Sequence, residues 1–187
     1  MPELPDVAVY VEALQRFIVG QPIERVTVPS VSLVRTYDPP IEDIEGKRVL
    51  GVRRMGKRIA WSLEDELQLV FHLMIAGRFK WRKAGSKIPK KGGLAAFSFP
   101  LGLLLLTEMG SKRRASLHVV RGRAEADAFD PGGLEVLDAS PEEFHAAITA
   151  ENHTLKRALT DPRSLSGIGN AYSDEILHRA RLSPLQW

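Results

Sequence analysis

Between Ile23 and Val120 the apolar residues come in short alternating or continuous runs, separated by turn-forming residues. Ile23-Glu24-Arg25-Val26-Thr27-Val28 alternates, as does Arg48-Val49-Leu50-Gly51-Val52. Further runs follow at Arg58–Leu63, Leu67–Leu73, Arg78–Trp81, Leu94–Phe99, Leu101–Thr107 and Ser116–Val120. A period of two puts alternate side chains on opposite faces of a strand, so short strands at this spacing bury their apolar faces by pairing one sheet with another. The pattern predicts an antiparallel sandwich or barrel. Glu64-Asp65-Glu66 and Pro100-Leu101-Gly102 are read as hairpin turns. No apolar run reaches the roughly 18 residues of a membrane-spanning helix.

Helices are expected on both sides of this block. Val7, Val11, Leu14 and Ile18 recur at helical spacing, and Gly20 supplies a stop. Beyond the strands, Ala124 to Asp138 is acidic and carries Asp130-Pro131-Gly132-Gly133. It reads as a linker with room for one short helical turn. Ser140 caps a helix over 141–150, a second runs from 154 to 160 before Asp161-Pro162, and a third covers 170–180 before Ser183-Pro184. The expected class is therefore α+β. Residues 1–124 form an N-terminal helix and β-sandwich, 125–138 the linker, and 139–187 a helical unit.

The net charge of +3 conceals an asymmetry. From Lys47 to Arg114 there are 16 Lys/Arg against 4 Asp/Glu, whereas the remaining residues carry 10 against 19. A basic middle in an otherwise acidic chain points to a polyanion surface. A solvated loop is the plainer account of Arg82, Lys83, Lys87, Lys90 and Lys91, which sit among Gly, Ser and Pro. With no cysteine there is no disulfide framework and no cysteine zinc site. No signal peptide is read at the start. The expectation is a soluble intracellular protein.

The chain opens Met1-Pro2-Glu3-Leu4-Pro5-Asp6-Val7. Proline at position 2 allows the initiator methionine to be trimmed, leaving a free secondary amine. An α-amino group, with a pKa of ~7.8, is roughly a tenth unprotonated near pH 7; a lysine at ~10.4 is far less so. Such an amine can attack a carbonyl-like carbon. Being secondary, it then yields an iminium with a fixed positive charge that draws electrons. Glu3 next door can move the protons. The plainer reading is a helix-start proline with a capping acid.

Three further stretches carry candidate chemistry. Met55-Gly56-Lys57-Arg58 lies between two strands and presents Lys57 on a tight turn. Leu165-Ser166-Gly167-Ile168-Gly169-Asn170-Ala171-Tyr172 joins two helices as a helix-turn-helix-like unit, with Asn170 at the cap of the second. The free N–H groups of such a helix start bind phosphates. His72-Leu73-Met74-Ile75-Ala76-Gly77 ends an apolar strand, and Met74 or Ile75 on its tip can wedge into a base stack. Lys112-Arg113-Arg114 supplies side chains able to reach bases or phosphates.

The order of these elements is more specific than any one of them. The Pro-Glu-Leu-Pro-Asp start resembles the Fpg/Nei family of bifunctional DNA glycosylases, whose members begin Pro-Glu-Leu-Pro-Glu or close variants. Lys57, His72-Leu73 with Gly77, Arg113-Arg114, and Lys156 leading to Gly167-Ile168-Gly169-Asn170 and Tyr172 match in order and spacing across essentially the whole chain. The resemblance implies a β-sandwich followed by a helical H2TH domain, with damaged duplex DNA in the cleft between them and the lesion flipped out. It implies attack by Pro2 on C1′ of the deoxyribose, Glu3 as acid/base, and Lys57 and Asn170 on phosphates. His72, Met74, Ile75, Arg113, Arg114, Lys156 and Tyr172 become DNA contacts. A monomer in the bacterial cytosol is implied, with no membrane partner and no cofactor in this chain.

The sequence also departs from the family pattern. Asp6 stands where Glu is common. The wedge loop often reads His-Leu-Gly-Met, whereas here Met74 is one place early and Ile75 takes the aligned position. The Arg-Arg-Phe segment reads Arg113-Arg114-Ala115. Family members continue through closing H2TH helices and a finger that often holds structural zinc. The expectation is therefore a fragment or shortened form, and its alternative reading is a non-catalytic DNA-binding remnant.

Overall fold

The computed structural model describes residues 1–110 and 112–187. Helix α1 (Leu4–Ile18) is followed by strand β1 (Arg25–Thr27) and a 3-10 turn (Ile41–Ile44). Then come β2 (Val49–Met55), β3 (Arg58–Leu63), β4 (Leu67–His72), β5 (Gly77–Arg82), β6 (Gly93–Phe99), β7 (Gly102–Glu108) and β8 (Ser116–Arg121). Four helices close the chain: α2 (Arg123–Asp127), α3 (Pro141–Thr149), α4 (Leu155–Thr160) and α5 (Asn170–Ala180). The strands form two antiparallel four-stranded sheets, ordered β1-β6-β7-β5 and β2-β3-β4-β8. Of the two architectures the strand spacing allows, the chain takes the sandwich.

Every second residue of the inner strands is apolar and turns toward the facing sheet. Trp61, Phe71 and Phe97 are fully buried. Their ring centroids lie 4.7 to 5.8 Å apart in tilted and edge-on arrangements, the geometries that aromatic quadrupoles favour. Helix α1 adds Val7, Leu14 and Ile18 to the same core. This fixes the N-terminal segment to the body of the sandwich.

The helix begins one turn earlier than the periodicity indicates. Pro5 is tolerated within the first turn, where an N–H is orphaned anyway, and the Asp6 carboxylate accepts from the Glu3 N–H at 3.0 Å. The turn at Glu64-Asp65-Glu66 has positive φ at both Asp65 and Glu66, the backbone of a hairpin turn whose twist matches the strands.

Helix α2 falls across the start of the acidic segment read as linker. It buries Ala126 against the outer face of β4 and β8, where Met55, Ala60, Val70 and Val120 form a second cluster with Phe129. In the helical part, Leu159 and Leu177 pack with Leu165 and Ile168. Ile176 stays at the surface. No helix among the described residues is long and apolar enough to cross a membrane.

Candidate functional site

The two ends of the chain's distinctive sequence meet. Pro2 and Glu3 are buried, and the Leu4 N–H donates to the Gly167 carbonyl at 2.9 Å. The Glu3 carboxylate sits on the N-terminus of α5. Its Oε2 accepts from the Gly169 N–H at 2.7 Å and the Tyr172 N–H at 3.1 Å, and its Oε1 from the Ala171 N–H at 3.0 Å. The first N–H groups of a helix have no partner within it and favour negative charge. Here the anion that satisfies them is supplied from 166 residues away by the chain itself.

This corrects the reading of the glycine loop. Gly169, not Asn170, is the N-cap of α5; Asn170 is its first helical residue and is exposed. The helix start is no open phosphate seat, because three of its N–H groups are engaged by Glu3. What remains for a phosphate is the Asn170 residue itself. Gly169 is required by space: a Cβ there would lie 2.5 Å from the Glu3 carboxyl carbon and Oε1. Gly167, with φ +80°, would place a Cβ 2.8 Å from that of Leu4.

Lys57 stands on the β2–β3 turn, where Gly56 has φ +57°. Partial burial pulls the ammonium's pKa down, and the Glu3 carboxylate opposes that shift. Lys57 and Glu3 thus share one electrostatic neighbourhood, and among the described residues Lys57 makes no ion pair. The turn is tied to the glycine loop by groups the sequence did not single out. Arg54 pairs with Glu135 and donates to the Ser166 hydroxyl at 3.2 Å, while that hydroxyl donates to Glu135 at 2.6 Å. Nothing in an acidic linker marks Glu135 as the partner of a strand arginine.

His72 pairs across the sheet with Arg58. Burial, followed by the nearby charges of Arg58, Lys57 and His118, lowers its pKa to about 4. The ring is therefore neutral at pH 7 and offers a hydrogen bond rather than a charge. Leu73 is buried, Met74 takes the left-handed conformation at φ +53°, and Ile75 is 58 % exposed at the tip. Gly77 closes this loop: its N–H donates to the Leu73 carbonyl at 2.9 Å, and a Cβ there would lie 2.3 Å from that oxygen.

Arg113 and Arg114 are exposed. Buried Glu108 holds this segment by accepting from the Arg114 and Ala115 N–H groups at 2.8 and 3.0 Å. Ala115 is buried and presents no wedge. Met109, which the sequence reading passed over, is exposed at the rim of a depression of about 300 Å³ that Ile75 also lines.

The structure therefore brings Glu3, with Pro2 directly before it, to the start of α5 at Asn170 and Tyr172, with Lys57 close enough to feel the Glu3 charge and His72 close enough to feel that of Lys57. It puts Met74, Ile75, Arg113 and Arg114 on a separate pair of adjoining loops. Lys156 is occupied, pairing with Asp174 across α4 and α5. Cysteine is absent from the sequence, and no three His, Asp or Glu side chains converge among the described residues.

Residues 1–168 match the family described as the formamidopyrimidine-DNA glycosylase N-terminal domain. The chain belongs to this family. It is 33 % identical over 189 residues to the formamidopyrimidine-DNA glycosylase of Acidothermus cellulolyticus, an alignment covering 97 % of this chain and 66 % of that protein. With the Mycoplasma genitalium protein of the same name, identity is 27 % over 188 residues, covering 98 % and 66 %. The chain thus spans about two thirds of the length of these relatives. Among solved structures, Lactococcus lactis Fpg with abasic-site DNA superposes with a TM-score of 0.87 at 23 % identity, covering 98 % of this chain and 70 % of that one. MutM with DNA containing carbocyclic 8-oxo-G gives 0.88 at 23 %, covering 99 % and 71 %. These likenesses establish the fold.

Proposed function

We propose that this chain carries the reacting centre of a DNA glycosylase and β-lyase that removes oxidised bases from duplex DNA, acting as a monomer. The observation that carries the reading is the latch between Glu3 and the start of α5. A terminal amine can act as a nucleophile only if it is held in place. This latch holds Glu3, with Pro2 directly before it, at the start of α5 where Asn170 stands, with Lys57 within reach of the Glu3 charge. The relatives' names and the DNA bound in the neighbouring structures support the substrate class.

With Met1 removed, the Pro2 nitrogen forms a bond to C1′ of the flipped nucleotide as the bond from C1′ to the base breaks. The base leaves with the proton lost from the Pro2 nitrogen. The C1′–O4′ bond then breaks, O4′ taking a proton from solvent by way of Glu3, to give a C1′ iminium on Pro2. The iminium acidifies the C2′–H. Loss of that proton expels the 3′ phosphate by β-elimination, and water then releases the amine. A carboxylate has about four acceptor positions, and backbone N–H groups take three of those on Glu3. The position left on Oε1 is the one that serves proton transfer.

Borohydride trapping on an abasic-site duplex tests this. The processed chain is expected to give a covalent adduct that is lost in Pro2→Gly. Tight binding without any adduct would replace the enzyme reading with that of a non-catalytic binder.

Lys57 has the more modest role of holding a phosphate. Lys57→Ala is expected to weaken binding whatever the flanking sequence. Between 50 and 200 mM salt it should flatten the slope of log K against log salt by about 0.9, the share of one phosphate contact. An unchanged slope would remove Lys57 from the phosphate-binding set.

A further inference from the structure

Between Glu66 and Glu108 the chain carries seven Lys/Arg and not one acid, although acids balance cations over the molecule as a whole. Three of the seven, Arg78, Lys80 and Arg82, alternate along the exposed side of β5, an edge strand. The other four lie in the loop that follows. This loop is anchored: Ile88 packs over Ala96, Leu103 and Leu105 on the outer face of the sheet. Gly93 admits no side chain, since a Cβ would lie 2.5 Å from the Pro89 carbonyl. The Ser86 hydroxyl ties back to the Lys83 carbonyl at 2.7 Å. Among the described residues none of the seven cations has an acidic partner. A surface kept merely soluble mixes both signs, whereas a one-sign surface on a folded support stores repulsion that an anion relieves.

The row starts at the Ile75 loop. Arg78 donates to the carbonyls of Ile75 and Gly77 at 3.3 and 2.7 Å, and β5 then runs on from the Ile75 loop. Alternate strand residues are roughly 6.7 Å apart, so Arg78 to Arg82 covers about 13 Å. One strand of B-DNA carries a phosphate per ~3.4 Å of axis, which makes this stretch about four base pairs. We propose that the outer face of β5 and its loop is a second, sequence-independent phosphate surface, gripping the duplex arm that leaves the lesion past Ile75. The proposal rests on the reading of the site as a holder of duplex DNA.

The test compares duplexes of 13 and 30 base pairs with a tetrahydrofuran abasic analogue, central in the long duplex and two base pairs from the end of the gripped arm in the short one. The short duplex therefore stops before the roughly four base pairs the row spans. The variant is Lys80→Gln, Arg82→Gln, Lys87→Gln, Lys90→Gln and Lys91→Gln combined, which keeps the aliphatic stems over the sheet; a thermal melt matching the parent checks its fold. The parent is expected to bind the long duplex with the steeper salt dependence. The variant is expected to lose at least tenfold on the long duplex while its affinity for the short one moves less than twofold. Moving the lesion toward either end of the 30-mer should abolish the length benefit for one placement only. An equal loss on both duplexes, or no loss on either, overturns the surface. A parent that binds long DNA through these residues with no lesion preference overturns the site reading and leaves the surface standing. A parent that binds neither duplex overturns both.

Discussion

Glu3→Gln is expected to lower stability by about 2–4 kcal/mol and to suppress base release by 10²-fold or more. The two losses have one origin. A glutamine keeps one acceptor oxygen and puts an amide NH₂ where the other oxygen was. Whichever way it turns, it sets a donor against either the Ala171 N–H or the Gly169 and Tyr172 pair. The site is buried, with Glu3 only 2 % exposed, so an N–H left facing a donor bears its full desolvation cost. Glu3 therefore does not separate chemistry from folding, and its substitution reads out both.

Gly169→Ala probes the latch from its other side, because it leaves the Glu3 carboxylate chemically intact. Its Cβ would lie 2.5 Å from the Glu3 carboxyl carbon, and both groups are held, one by the helix start and the other by α1. The expected result is the same pair of losses, measured as a lower denaturant midpoint with unchanged m and a lower single-turnover rate. Full stability and full rate in Gly169→Ala would show that the latch does not hold the site.

The strands were legible because each carries its own evidence. β3 is bounded by turn residues and alternates within itself, and its ends coincide with the expectation. Helix α2 was half legible: the acidic segment left room for one short helical turn, but not its place at Arg123–Asp127, which rests on a single buried alanine.

The site was half legible. The Pro2-Glu3 start and the glycine loop stand out by their order, yet nothing in either says that they touch. The physics invoked for the loop was sound, since orphan helix N–H groups do take an anion. The anion was already present in the chain at Glu3, a partner that only the fold identifies. Glu135 and Ser166 escaped for the same reason: a pair bridging sheet and loop leaves no local pattern.

Acidification from pH 7 to pH 5 is expected to cost the folded chain on the order of 2 kcal/mol through His72 alone. In the unfolded chain a histidine takes up its proton near pH 6.5. In the fold, burial and then the charges of Arg58, Lys57 and His118 hold that event down to about 4. Between these values the unfolded state binds more protons. The stability His72 contributes is therefore complete above pH 6.5, falls as pH drops through the window, and changes no further below about 4. His118 is shifted the same way by burial, Arg58 and Arg35, and adds to the slope.

Asp161, held by Arg163, titrates near 2, so its contribution is lost only at pH values below the ordinary carboxylate range. His72→Gln keeps a neutral polar group and removes the titration. Urea midpoints at pH 7 and pH 5 should then differ less in the variant than in the parent, by about 2 kcal/mol after conversion with a common m. A bound phosphate beside the ring would favour its cation, so the parent should also take up a proton on binding abasic-site DNA near pH 5, and the variant should not. Identical pH dependence of stability in the two chains would mean that His72 is well hydrated and free to charge, and that the basic cluster around Lys57 is more open than its burial implies.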